Sequence, residues 1–292
     1  MQVNFDREKA WWDAKAPKEE HDVADECINR ALRWREIQRH LDGVQTILEV
    51  GGGTGAFSIP LAERGFEVTH LDFAPAMLAI ARKKGGRLPS LRFVEANAVR
   101  LPFADRSFDL VLNLDGAASF CGSEAARAIT ESCRVADSKL ILTASNRCNL
   151  VGLVVSSSLL VTGRLTPAVH AMFERGEWHQ DQFPDNPLLA KGTTQDYVGA
   201  LCAFLPGELR ALLTSAGFRP LRVGGLGSLA QLCGQKAVAQ ACADPAVLNQ
   251  FVDLCERFDI EILPDGPGTW QRAGLIAVAA RCEVDPRPEQ EI

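Results

Sequence analysis

The nine cysteines of this 292-residue chain include no C-x-x-C pair, and its five histidines include no H-x-x-x-H pair. Thiols scattered singly do not read as a disulfide framework, and isolated imidazoles do not read as a zinc site, so neither is expected. The N-terminus lacks a signal-peptide pattern, and with the scattered thiols this gives the expectation of a reduced, cytoplasmic protein. Nor is there the run of about 20 apolar residues that a membrane-spanning helix needs. The longest weakly polar run, Asn149 to Thr162, carries three serines and reads as a buried helix or a wall of a substrate pocket. Positive charge is also scarce: 31 Lys and Arg stand against 37 Asp and Glu, a formal net charge of -6, with no basic stripe. Neutralisation of phosphates dominates nucleic-acid binding, so the expected partner is a small molecule, with no nucleic acid and no membrane.

What the chain does have is apolar residues, 47% of the total, enough for a sizeable core. It also has a concentrated glycine turn. Thr46 to Val50 is a short apolar run containing Glu49, followed at once by Gly51, Gly52, Gly53 and Gly55, a helix-like FSIPLAERG and a second apolar run closing on Asp72. That is strand, glycine turn, helix, strand. Residues without a β-carbon let backbone approach a ligand closely, and the helix that follows offers free N-H groups to an anion. An acid ending the second strand can accept hydrogen bonds from both hydroxyls of a ribose. A nucleotide cofactor is the natural occupant. Gly51, Gly53 and Ala56 fit G-x-G-x-x-G/A, with Asp72 21 positions beyond Gly51, so a nicotinamide cofactor is one candidate.

Glu49, two residues before the first glycine, and the downstream sequence favour another. Leu48-Glu49-Val50-Gly51-Gly52-Gly53-Thr54-Gly55 matches h-h-D/E-h-G-x-G-x-G; HLDFAPAML supplies the second-strand acid Asp72; Ala96 to Phe103 matches a GDA-x-x-LPF stretch; and Ser107 to Leu112 matches SFDhVh. In these motifs, and in Phe204 to Val223 beyond them, the chain resembles the class I S-adenosylmethionine-dependent methyltransferases, in particular the type 11 small-molecule group. The resemblance covers roughly half the chain. It implies an α/β fold: a Rossmann-like, seven-stranded, mostly parallel sheet with helices on both faces, an N-terminal helical lid and an inserted cap. It implies S-adenosyl-L-methionine as cofactor, with Glu49, Gly51, Gly52, Gly53, Gly55, Asp72, Phe73, Met77, Asn97, Ala98, Asn113 and Leu114 as the residues that bind it. The group usually has Asp where this chain has Asn97, whose side-chain carbonyl can still accept a hydrogen bond from an adenine amino group, without charge assistance. Asp115 falls where the group touches methionine or acceptor, though it could equally cap a turn.

The alternation of patterns places strands near 46 to 50, 67 to 72, 91 to 95, 108 to 113 and 139 to 144, and helices near 55 to 64, 75 to 85 and 124 to 135. Further on, Pro220 to Gly224 reads as strand six, two helical stretches run near 229 to 243 and 245 to 258, and Gly274 to Arg281 reads as an antiparallel strand seven. The expected organisation is a helical lid over 1–43, a cofactor-binding core over 44–146, a cap over 147–204 for the acceptor, the rest of the core over 205–285, and a tail over 286–292. Trp11 and Trp12 read first as a hydrophobic clasp and second as partners for a sulfonium. His70, inside strand two, reads as a satisfied core histidine. Within the cap, His170, His179 and Asp181 are candidate bases and Tyr197, the only tyrosine, a candidate acceptor contact. The sequence leaves the acceptor open. It also leaves open attack on the cofactor's aminobutyrate chain, with release of methylthioadenosine, and a cofactor-binding protein without catalysis.

Overall fold

The computed structural model describes residues 3–19, 24–180, 182–183, 199–263 and 274–282. Five parallel strands form the centre: β1 (Thr46–Val50), β2 (Glu67–Asp72), β3 (Leu91–Glu95), β4 (Phe108–Asn113) and β5 (Ala136–Asn146), in the order β3-β2-β1-β4-β5. The central β1 and β4 are mostly apolar because a strand covered on both faces has no solvent side to mark with polar residues, whereas edge strand β3 exposes Arg92 and Glu95. Their side chains alternate between two cores. Leu48, Val50, Val111, Leu140 and Leu142 point to one face, and Ile47, Leu110, Leu112 and Ile141 to the other.

The helices divide accordingly. α1 (Phe5–Lys15) and α2 (Ala24–Arg39) precede the sheet; α3 (Ser58–Glu63), α4 (Pro75–Gly85) and α5 (Ala125–Val135) connect its strands. On α5, Ala125, Ala128, Ile129, Ser132 and Cys133 recur at helical spacing and are all buried against the first core. The second core is covered by Ile28, Leu32 and Ile37 of α2 and by α3. The helix expected from residue 55 begins only at Ser58, because Gly51, Gly53 and Gly55 all take positive φ and extend the turn.

After β5 the chain forms α6 (Arg147–Thr162), α7 (Pro167–Arg175), β6 (Glu177–Trp178) and β7 (Leu201–Phe204). Among the described residues the sheet therefore has nine strands where seven were expected, the short β6 and β7 being the additions. β5 pairs with the last strand over Lys139 to Ala144, and its free end, Ser145 and Asn146, takes up β7, which in turn pairs with β6. Helix α6, the weakly polar run, is neither fully buried nor a pocket wall: Val154, Ser157 and Ser158 face inward while Leu159 and Leu160 face solvent. Among the described residues no helix is long and apolar enough to cross a membrane.

The chain then returns through α8 (Pro206–Ser215), β8 (Phe218–Leu226), α9 (Ser228–Cys233), α10 (Gln235–Cys242), α11 (Pro245–Arg257) and β9 (Gly274–Arg281). β9 runs antiparallel between β5 and β8, so it is reversed in the sheet as expected of the last strand, and the short β6 is reversed as well. The helical stretch expected over 229 to 243 is split at Gly234, whose φ of 79° ends α9. Asp244 caps α11 by accepting from the amides of Ala246 and Val247, ahead of Pro245 at its first turn.

Candidate functional site

A cavity of about 680 Å³ opens at the carboxyl ends of β1, β2, β3, β4 and β5, where a doubly wound sheet places its ligands. Gly51, Gly52 and Gly53 line one side. A β-carbon added at Gly53, with φ 54°, would meet nothing within 4 Å, so its backbone is open to close approach from the cavity. Asp72 sits at the floor, 6% exposed. Its two oxygens accept from the amides of Gly53 (2.9 Å) and Ala74 (2.8 Å), and burial pushes its carboxyl above the usual range against the pull of those bonds. Beside it lie Phe73, Met77, Ala96, Asn97 and Ala98. The Asn97 side-chain carbonyl accepts from the Val99 amide at 3.1 Å, which fixes the orientation of its amide.

Four of the residues expected to bind cofactor do not line the cavity. Glu49 is buried beneath the glycine turn, where it accepts from both the amide (2.9 Å) and the hydroxyl of Ser58. The strand puts its side chain on the same face as Ile47, towards the start of α3. Gly55 packs inward: a β-carbon there would come within 2.7 Å of Ile59, so its role is close packing of turn against helix. Asn113 donates to Ser132 (3.0 Å) and accepts from the Ala118 amide (3.2 Å), bracing the loop after β4. Leu114 is part of the second core.

The cap candidates lie elsewhere. His170 is exposed on α7, and His179, buried after β6, is not on the cavity wall. Asp181 and Tyr197 fall outside the described residues. The rest of the wall comes instead from the N-terminal helices and the loop after β4: Phe5, Trp12 and Lys15, then Glu26, Arg30 and Arg33, with Asp115 and Phe120. Trp12 meets Phe120 edge to face at 5.0 Å, and the Lys15 ammonium lies 4.2 Å above the Trp11 ring. α1 is fastened over the cavity by Asp13, which accepts from the Ala76 amide at 2.8 Å, and by buried Glu8, which accepts from the Ala200 amide at 2.9 Å.

Arg33 joins two acids at the cavity wall. Its Nη1 reaches Glu26 at 2.7 Å and also pairs with Asp115, whose φ of 55° is left-handed, a backbone state non-glycine residues seldom adopt. Arg33 is almost fully buried, while Asp115 keeps 46% of its side chain open to the cavity. Partial burial pushes the Glu26 carboxyl up even against the pull of Arg33. Sequence reasoning missed Arg33. The signal was an arginine on the stripe of α2 that otherwise buries Ile28, Leu32 and Ile37.

Comparison with known proteins fits this geometry. A family model described as a methyltransferase domain matches residues 48–142. The match runs from β1 into β5, across the five parallel strands that carry the glycine turn. The demethylmenaquinone methyltransferase of Renibacterium salmoninarum is 37% identical over 111 residues, covering 36% of this chain and 45% of that protein. The Thermus thermophilus enzyme of the same name is 44% identical over 103 residues, 32% of this chain and 46% of that one. The chain thus matches less than half the length of these curated relatives. Similarity to solved structures extends further. A S-adenosylmethionine-dependent methyltransferase from Mesorhizobium loti aligns over 86% of this chain and 98% of that one at TM-score 0.53 and 18% identity. One from Methanosarcina mazei aligns over 84% and 96% at 0.52 and 20%. The likeness in fold therefore extends well beyond residues 48–142. No group of three or more His, Cys, Asp and Glu among the described residues is arranged to hold a metal.

Proposed function

We propose that the chain transfers a methyl group from S-adenosyl-L-methionine to a small-molecule acceptor carrying an aromatic ring. The observation that carries the reading is the juxtaposition, in one cavity, of the open Gly53 backbone, the Asp72 carboxylate and an aromatic wall from a different part of the chain. The residues present fit the cofactor. Asp72 has lone pairs left for ribose hydroxyls after its two backbone bonds, Phe73, Met77 and Ala98 offer apolar contact to adenine, and Asn97 offers its amide. Arg33 and Asp115 present opposite charges beside the glycine turn, matching the carboxylate and ammonium of the cofactor's amino-acid end.

When bound, adenosylmethionine supplies a methyl on a positively charged sulfur, ready for direct displacement. The protein's own task is then alignment and exclusion of water. Trp12 and Phe120 close the cavity and offer ring faces to a planar acceptor. The names of the curated relatives, demethylmenaquinone methyltransferases, agree with an aromatic acceptor of quinol type, although the match to them is confined to part of the chain. A hydroxyl or ring carbon that must lose a proton would find its base in Glu26 on the same wall, whose carboxyl is already pushed up towards that task.

Calorimetry with adenosylhomocysteine, methylthioadenosine and NAD tests the cofactor assignment. The account expects adenosylhomocysteine to bind wild type at least about ten-fold more tightly than methylthioadenosine, which lacks the amino-acid end. Asp115→Asn should shrink that preference while leaving methylthioadenosine affinity alone. Preferential binding of NAD, or equal affinity for both nucleosides, would refute the assignment.

A further inference from the structure

Beneath the glycine turn lies a buried hydrogen-bond chain that the proposed reaction does not use. The Ser58 hydroxyl bonds both Glu49 Oε2 and His70 Nδ1, the latter at 2.6 Å, and His70 Nε2 lies 3.1 Å from the Gly53 carbonyl oxygen. Glu49 Oε2 also accepts the Ser58 amide at 2.9 Å. All three side chains are buried.

Donors and acceptors can be counted. A carbonyl only accepts, so Nε2 must carry a proton. The Ser58 hydroxyl has one proton to give. If it goes to Glu49, Nδ1 must donate to Ser58, and the ring is a doubly protonated imidazolium. If it goes to Nδ1, then Glu49 must carry a proton of its own. Either way the chain holds one proton more than an ionised glutamate and a neutral histidine would. A carboxylate that already receives the Ser58 amide is the better acceptor, and an imidazolium paired with it leaves the buried unit neutral.

The surroundings suit that placement. Across the ring from β1 and α3 stand Asp72, on the same strand, and the Phe93 ring of β3 at 5.5 Å; Arg82 of α4 lies 5.7 Å beyond, over the Phe93 ring. Glu49 and Asp72 are thus the charged groups facing His70, and both are acids. Space for the ring exists only because residue 52 is glycine: a β-carbon there would come within 2.5 Å of His70 Cε1 and Nδ1. Gly53 is consequently gripped on both sides, its amide by Asp72 and its carbonyl by His70.

We infer that Glu49, Ser58 and His70 trap one proton, resident on the His70 ring, and that His70 is a positioning residue which sets the glycine backbone for its ligand through the Gly53 carbonyl. The positioning role rests on the cofactor reading above; the proton count does not. The test begins with nitrogen-15 NMR of the histidine side chains in the full chain without ligand, the His70 signals being identified by their loss in His70→Gln. Both ring nitrogens of His70 should be protonated, and in Glu49→Gln the Nδ1 proton should vanish. A ring with a bare Nδ1 in wild type overturns the proton assignment. Adenosylhomocysteine calorimetry then separates positioning from bulk. His70→Leu, which fills space without donating, should weaken binding about ten-fold, whereas His70→Gln, which can still donate to Gly53, should stay within about three-fold of wild type. Equal affinity of the Leu variant and wild type overturns the positioning role. Failure of wild type itself to bind would instead strike the cofactor reading and leave the NMR result standing.

Discussion

Asp72 carries the sharpest residue-scale expectation. It accepts two backbone amides, keeps lone pairs towards the cavity and is the acid that the motif placed at the end of a strand. Asp72→Ala should weaken adenosylhomocysteine binding roughly 100-fold, about 3 kcal/mol, the scale of two hydrogen bonds to a charged acceptor. Because burial raises the carboxyl's pKa, affinity in wild type should begin to fall at a higher pH on acidification than an ordinary aspartate would give. Calorimetry as a function of pH checks both; unchanged affinity in the variant would remove Asp72 from the ribose. This residue was legible because a carboxylate ending an apolar strand has no packing reason to be there. Glu49 was legible as important but not as buried support, since its partner Ser58 lies nine positions on and only the turn brings them together. Arg33 was invisible because α2 carries no motif and meets Asp115 only through tertiary packing.

At the scale of elements, β1 and β4 are joined at their starts by Asp109. Its Oδ2 accepts from the amides of Gln45 (2.9 Å) and Thr46 (2.8 Å) and from the Thr46 hydroxyl. Burial works against its charge, but these bonds outweigh it and hold the carboxyl below the usual aspartate range. Asp109→Ala should cost roughly 1–3 kcal/mol of stability at neutral pH by denaturant unfolding. A group with a depressed native pKa contributes its stability above the unfolded value of about 3.9 and loses it as pH falls through the native one, so wild type and variant should converge on acidification. A gap that stays constant into acid would assign the loss to packing. The five central strands stood in the sequence nearly at their observed bounds, because alternating α/β patterning and glycine breaks are local signals. The β6 and β7 pair did not, since two- and four-residue strands form only where the free end of β5 offers them an edge.

The whole molecule joins a glycine-turn core to a wall built by α1, α2 and the loop after β4, and the proposed chemistry depends on these meeting across one cavity. The cap segment, 147–204, was expected to supply the acceptor contacts, yet none of its described residues lines the cavity, which reaches this side of the sheet only through Thr143, Ala144 and Ser145 of β5. Its α6–α7 pair forms a separate core with Trp178 instead. The direct test of the account is turnover: purified protein, adenosylmethionine with an isotopically labelled methyl, and a panel of aromatic and quinol acceptors beside a metabolite extract, with both nucleoside products quantified by mass spectrometry. The account predicts acceptor-dependent adenosylhomocysteine and a labelled aromatic product, both lost in Asp72→Ala. Methylthioadenosine as the product, or label in no acceptor while adenosylmethionine remains bound and intact, would contradict it.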